Sequence, residues 1–460
     1  MQWCPAGDRN PQVSLEIMVS NPDDNGGPAP QGAPGTPPED TDELMAIDEM
    51  GLEPLSDESG DYRPSIDVGL ITEHFTRGIE FIRSREWDNA IEQFRSGLEL
   101  DTLREHVQCP IALTNLGFCH DKLEEYDQAI EAYKQAIELD AQCDQAHAGL
   151  ACVYMDLERP AEAMEAGERA AVIRPDNALT HYNIGNARLA MGDHIGGIES
   201  YRQAISLNPK LFHAWLNMGA ACEAIGDIDG SIASFEGAIQ AEPGYAKAFL
   251  NLGLLYGRQA RHDDSIAAFQ RAIEKDPSEK KVWILLGLAL RCKGDDFKAV
   301  EAFKAAIASR CYEHKAWHNI GLIHAASHRH EEAMQAFRMA LQFEPNYAKV
   351  HVSIGREYTR VGRDAEAISA LEAGLRLRPG MPQAFGLLGT AHARLGQYLE
   401  AVQAFTQASE LAPEDDSYHL NLLRAHLDVG RKEEALAELK YLEDRKSPLA
   451  AQVISEIYPS

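Results

Sequence analysis

Glycine recurs in this chain on a fixed clock, whose tick is the step from Gly185 to Gly219. Gly117, Gly185, Gly219, Gly253, Gly287, Gly321, Gly355 and Gly389 are separated by one tick or two, and the skipped register holds Ala151. Pro175, Pro209, Pro243, Pro277, Pro345, Pro379 and Pro413 keep the same time. The period is about 34 residues, and a fixed period of this length means that one small supersecondary unit is stacked many times. The clock runs without insertion or deletion from Pro110 to Leu449, which makes ten repeats. An eleventh, residues 71–104, stands five residues out of phase and is marked by Phe81, Ala90 and Phe94.

Let Pro110 be position 1. Position 8 is then the glycine, and position 20 is small in all ten repeats, as at Ala129, Gly197, Ser231 and Ala299. Position 24 is large in nine of ten, as at Tyr133, Tyr201, Phe235 and Phe303, with Gly167 departing. Positions 4, 7, 8 and 11 share one face of a helix with 3.6 residues per turn. Glycine at 8 and a small residue at 20 let two antiparallel helices, A and B, approach closely, and the ring at 24 fills the space beside them. The proline at position 32 ends helix B, because the residue before it is pushed out of the α region. One such hairpin cannot bury its apolar face alone, so neighbours must stack. The prediction is an all-α solenoid of about eleven helical hairpins. Ser447 and Pro448 read as N-cap and first residue of a capping helix over 448–457, with Leu449, Val453, Ile454 and Ile457 covering the last open face.

Segments such as AWLNMGAACEAIGDIDGSIASFEGAIQAEP (Ala214 to Pro243) and AFLNLGLLYGRQARHDDSIAAFQRAIEKDP (Ala248 to Pro277) carry this pattern in full. They resemble the tetratricopeptide repeat family. The resemblance covers about 380 residues and implies a right-handed superhelix whose concave face is lined mainly by helix A and binds extended peptides or partner helices.

Positions 2, 5, 6, 9 and 13 lie on the side of helix A opposite the packed one, and the resemblance turns that side toward the groove. Position 6 is a ladder of Asn115, Asn183, Asn217, Asn251, Asn319 and Asn421. An amide offers both a donor and an acceptor, which suits a ligand's peptide backbone. Position 2 is Lys247, Lys281, Lys315 and Lys349 in four consecutive repeats. From the fifth to the ninth in-phase repeat these positions make 25 sites. Eight are basic (Lys247, Arg258, Lys281, Lys315, Lys349, Arg356, Arg360 and Arg394) and none is acidic. A lysine row supplies point charges for carboxylates. The bland alternative is that these cations pair with acids on helix B or on the next repeat. The asparagine ladder is similar to that of the superhelical domain of O-linked N-acetylglucosamine transferases, a likeness that stops at the repeats. The dicarboxylate clamp of chaperone-cofactor tetratricopeptide domains wants Lys at 2 and Arg at 6. Position 6 here is Asn251, Leu285, Asn319 and Ser353, which argues against a chaperone tail as ligand.

Residues 1–65 have a different composition. They hold ten of the 22 prolines and 14 acids against Arg9 and Arg63. Such a segment buries too little apolar surface to offset its ordering entropy and reads as a disordered acidic tail. Within it DELMAIDEMGLEPL, from Asp42 to Leu55, alternates acids with Leu44, Met45, Ile47, Met50 and Leu52. This stretch is a candidate for docking in the basic groove of its own chain. The whole chain has a net charge of −29, which disfavours nucleic acid as a partner. No apolar run is long enough for a membrane span. The opening MQWCPAGDRN lacks the features of a secretory signal, and eight scattered cysteines without a CxxC pair fit a reducing, cytoplasmic setting.

Signals for catalysis, cofactors or metals are weak. His314, His318, His324, His328 and His330 crowd one repeat, but position 11 is packed and His328 and His330 fall in a turn, so they read as ordinary helix and turn histidines. No nucleophile elbow, phosphate loop or HExxH occurs. The expected function is a non-enzymatic scaffold for an extended acidic segment of a protein partner. The alternatives are a self-assembling structural protein and an accessory subunit of a glycosyltransferase or kinase carried on another chain.

Overall fold

The structure, a computed structural model, describes residues 68–101, 108–450 and 453. The acidic segment 1–65 with its 42–55 stretch, the end of the out-of-phase repeat, and Ile454 and Ile457 lie outside the described residues. Regular structure among the described residues is entirely α-helical.

The chain divides into two compact units at residue 248. The first contains α1 (Val68–Arg83), α2 (Trp87–Leu100), α3 (Cys109–Lys122), α4 (Tyr126–Leu139), α5 (Asp144–Asp156), α6 (Pro160–Ile173), α7 (Ala178–Ala190), α8 (His194–Leu207), α9 (Phe212–Ala224) and α10 (Ile228–Ala241). Helix α11 (Ala246–Arg258) begins in the first unit and ends in the second. The second continues with α12 (His262–Lys275), α13 (Lys281–Lys293), α14 (Asp296–Ala308), α15 (Glu313–Ala326), α16 (His330–Phe343), α17 (Ala348–Arg360), α18 (Asp364–Leu377), α19 (Pro382–Arg394), α20 (Tyr398–Leu411), α21 (Asp416–Val429) and α22 (Lys432–Asp444). Odd-numbered helices are the A helices and even-numbered ones the B helices. In both units A packs on its own B and B on the next A, the stacked-hairpin solenoid that the repeat clock predicts.

The spacing of small and large residues explains the packing. Phe235, Phe269, Phe303, Phe337 and Phe405 are all fully buried, as is Tyr201. Each lies against the position-8 glycine of its own hairpin. A Cβ at Gly287 would stand 2.5 Å from the Phe303 ring, and one at Gly219 would stand 2.6 Å from Phe235. Only a hydrogen fits there, so the glycine serves close approach rather than chain freedom. Where Gly167 replaces the ring, Ile184 from the next A helix fills the space, 2.9 Å from where a Cβ would be.

The proline signal works as expected. Asn208, Glu242, Asp276, Glu344 and Arg378 each precede a proline and leave the helix at φ between −135° and −145°. The repeat that has Cys311 in the proline register turns differently. Arg310 and Tyr312 take left-handed φ values of 53° and 52°, and α15 starts directly after them. At the far end, the Ser447 hydroxyl accepts the Leu449 N–H at 3.3 Å, and the chain is helical from Pro448. Ala450 and Val453 pack on Leu420, Leu423, Leu439 and Leu442, which closes the last apolar face.

Candidate functional site

The second unit gathers cations on its A helices. Lys281, Lys315 and Lys349 stand in the first turn of α13, α15 and α17, one per repeat. These helices touch in sequence, α13 on α15, α15 on α17 and α17 on α19. Side-chain bonds one repeat apart hold them in register. Arg291 Nη1 donates to Asn319 Oδ1 at 2.6 Å, and Asn319 Nδ2 donates to the Lys315 carbonyl at 2.8 Å. Ser353 Oγ donates to the Lys349 carbonyl, so at 3.0 Å it accepts from His318 Nε2–H, which fixes the imidazole tautomer. Arg356 Nη2 donates to Gln383 Oε1 at 3.2 Å.

His318 reports the field at this place. Its imidazole is pushed down to about 3, first by burial and then by the charges of Arg291, Lys349, Arg356 and His314. It is therefore neutral at physiological pH, wedged between Phe337 and Tyr347 with ring centroids at 5.8 and 5.4 Å. The guanidinium of Arg291 is itself held below its ordinary value by burial. Lys315 Nζ lies 5.1 Å over the Tyr312 ring.

The remaining residues singled out from sequence are distributed as follows. Positions 5 and 6 are mostly buried between neighbouring A helices, as Ile284, Leu285, His318, Asn319, Val352 and Ser353 show. Asn319 thus spends its amide on Arg291 and the Lys315 carbonyl. Asn251 is half-buried and Arg258 exposed. Arg360 and Arg394 follow the bland alternative of pairing with acids. Arg360 Nη1 meets Glu357 Oε1 at 3.0 Å, and Glu357, 2 % exposed, also meets His330 Nδ1 at 2.7 Å. Arg394 Nη1 donates to the Thr359 carbonyl at 2.6 Å and lies 3.6 Å from Asp364.

In the first unit Asn115 is buried, and its amide nitrogen has no hydrogen-bond acceptor among the described residues. Asn183 Nδ2 reaches Cys152 Sγ at 3.3 Å. Asn217 Nδ2 donates to Asn186 Oδ1 at 2.9 Å, and that oxygen also accepts from the Tyr201 hydroxyl at 2.7 Å. Lys247 is exposed, and its charge helps burial push the His213 imidazole down to about 4. The A helices here also carry acid. Asp121 is pushed up to about 6, by burial first and by Asp156, with Lys122 opposing. The asparagines at 183, 217 and 319 thus serve joints between adjacent A helices, and the ladder is not a row of open amides.

Arg291 was missed by the reading of positions 2, 5, 6, 9 and 13. It occupies position 12, three residues after 9 and seven after 5, so helical spacing places it on the same stripe. No group of three or more metal-ligating side chains occurs among the described residues, and none of their helices is long and apolar enough to cross a membrane.

Family models described as tetratricopeptide repeat match residues 110–143, 182–246, 250–310, 314–347, 353–416 and 387–451. No curated protein matches the chain. Similar solved structures include MamA, 25% identical over 38% of this chain and 96% of that protein, with a TM-score of 0.35. YrrB, a TPR protein with an unusual peptide-binding site, is 23% identical over 42% of this chain and 96% of its own, at 0.35. Yeast Tom70 is 14% identical over 84% and 94%, at 0.42.

Proposed function

Since the chain belongs to the tetratricopeptide repeat family, we propose that it is a non-catalytic scaffold holding an extended, acidic segment of a protein partner. Repeats of this family are protein-interaction scaffolds. The observation that carries the finer reading is the convergence of Lys349, Arg356, Arg291 and His314 on the buried His318, with Lys281 and Lys315 on the same helices. In a chain of net charge −29, cations at these positions serve a ligand better than they serve solubility. Lys281, Lys315, Lys349 and Arg356 are the residues that contact carboxylates. Asn319 and Arg291 position them, and Asn251 and Arg258 extend the same face. The cysteines at 109, 119, 143, 152, 222, 292 and 311 are free thiols, which supports a cytoplasmic setting.

The test is a charge reversal in the full chain. Lys281→Glu with Lys315→Glu should weaken binding of a fluorescent oligo-glutamate peptide by about tenfold or more at low salt, with thermal unfolding unchanged. Binding that survives the reversal and is indifferent to salt overturns the reading. The closed end formed by Ser447, Ala450 and Val453 weighs against a filament growing through that face. The acidic stretch 42–55, outside the described residues, is the intramolecular competitor this reading expects.

A further inference from the structure

The lysines of this face stand one per repeat, and the repeats stand at a fixed spacing. Resting on the acidic-segment reading above, we propose that the partner segment carries a carboxylate on every third residue and lies in a polyproline-II conformation across successive A helices.

The argument is one of matched periods. The bonds Arg291 to Asn319, His318 to Ser353 and Arg356 to Gln383 tie α13, α15, α17 and α19 directly to one another. Two more reach back one full repeat, Arg360 Nη1 to the Ala325 carbonyl at 3.5 Å and Arg394 Nη1 to the Thr359 carbonyl at 2.6 Å. The A helices are therefore direct neighbours, and packed helices stand about 8–10 Å apart. Lys281, Lys315 and Lys349 occupy the same register on three of them, so their stems repeat at that distance.

A ligand crossing this row must offer anions at the same interval. A polyproline-II chain rises about 3.1 Å per residue and turns once every three residues, so every third side chain returns to one side after about 9 Å. A β-strand covers a similar length in three residues but alternates faces, which would turn every second acid of such a series away from the lysines. An α-helix rises only about 1.5 Å per residue, and three residues would cover half the interval. A polyproline-II segment also loses little conformational entropy on binding, since unfolded chains already populate it. The lysine ammonium is a point charge on a flexible stem and absorbs the small remaining mismatch.

Three peptides of nine residues and identical composition test this against the full chain. Each has three glutamates, placed at one, four and seven, at three, five and seven, or at four, five and six. Fluorescence anisotropy at low salt should rank the first about tenfold or more above the others. Lys315→Gln, which removes the middle contact, should erase that preference. Equal binding of all three overturns the spacing while leaving the acidic-face reading intact. Tighter binding of the second or third peptide overturns it as well. Failure of all three to bind overturns both.

Discussion

His318 is a neutral imidazole in a positive neighbourhood, and that has a cost at low pH. Its folded value of about 3 lies below the ordinary histidine range, so between pH 3 and 6.5 the unfolded chain binds a proton that the folded one refuses. Stability present above pH 6.5 is therefore lost as pH falls toward 3, at up to about 1.4 kcal/mol per pH unit for one fully linked proton. A His318→Gln variant keeps a donor for Ser353 and removes the titration. Urea midpoints measured from pH 7 to pH 5 should fall less steeply in the variant than in the parent. Parallel slopes would mean that His318 takes up its proton equally in the folded and unfolded chain. The same residue marks the limit of reading from sequence. Helix geometry predicts position 5 opposite the packed face of its own hairpin, whereas His318 reaches the Phe337 ring of that hairpin. Helix geometry also says nothing about the neighbouring A helix, which arrives from a full repeat away in the chain and covers positions 5 and 6. That is why the fates of Asn319 and Asn115 were not legible, whereas Lys281, at the start of its helix and exposed, was.

Hairpins were more legible than faces because their determinants are local. Gly287 and Phe303 belong to one hairpin, and their contact is written in residue size alone. The proline brake is likewise local; without it the Cys311 repeat turns through the left-handed Arg310 and Tyr312, while Asp140, before Ala141, still leaves its helix extended. The end of the described array is an element-scale problem, since the apolar face of its last hairpin is covered by Ala450 and Val453. Val453, 1 % exposed, covers Leu420, Leu439 and Leu442 there. Val453→Asp buries a carboxylate without a partner, a change that typically costs several kcal/mol. In a solenoid coupled only through nearest neighbours the damage stays near the end. Amide hydrogen exchange should accelerate in α21 and α22 and remain unchanged in α15 and α16. Uniform acceleration along the chain would refute local coupling, and no acceleration would refute the covering role of Val453.

At the scale of the whole molecule, charge is unevenly divided. Residues 1–65 carry twelve of the 29 net negative charges, and the second unit carries the lysine row. If residues 42–55 occupy that row in the resting chain, deleting 1–65 strengthens oligo-glutamate binding at least about threefold at low salt. The gain vanishes at high salt. Replacing Leu44, Ile47 and Leu52 by serine keeps the charge and removes the apolar contacts. A gain in both variants marks docking of the segment, a gain on deletion alone marks general repulsion, and no gain in either excludes self-occlusion.

The glycine and ring that meet in most of the hairpins belong to the same repeat, and this bears on how such an array grows. A duplicated stretch of the gene arrives with its own tight contact already complete, asking only for a compatible surface on either side. Lengthening or shortening the protein by whole units is thus a small step in sequence, while one residue inserted within a helix between a glycine and its ring would rotate one of them away from the other.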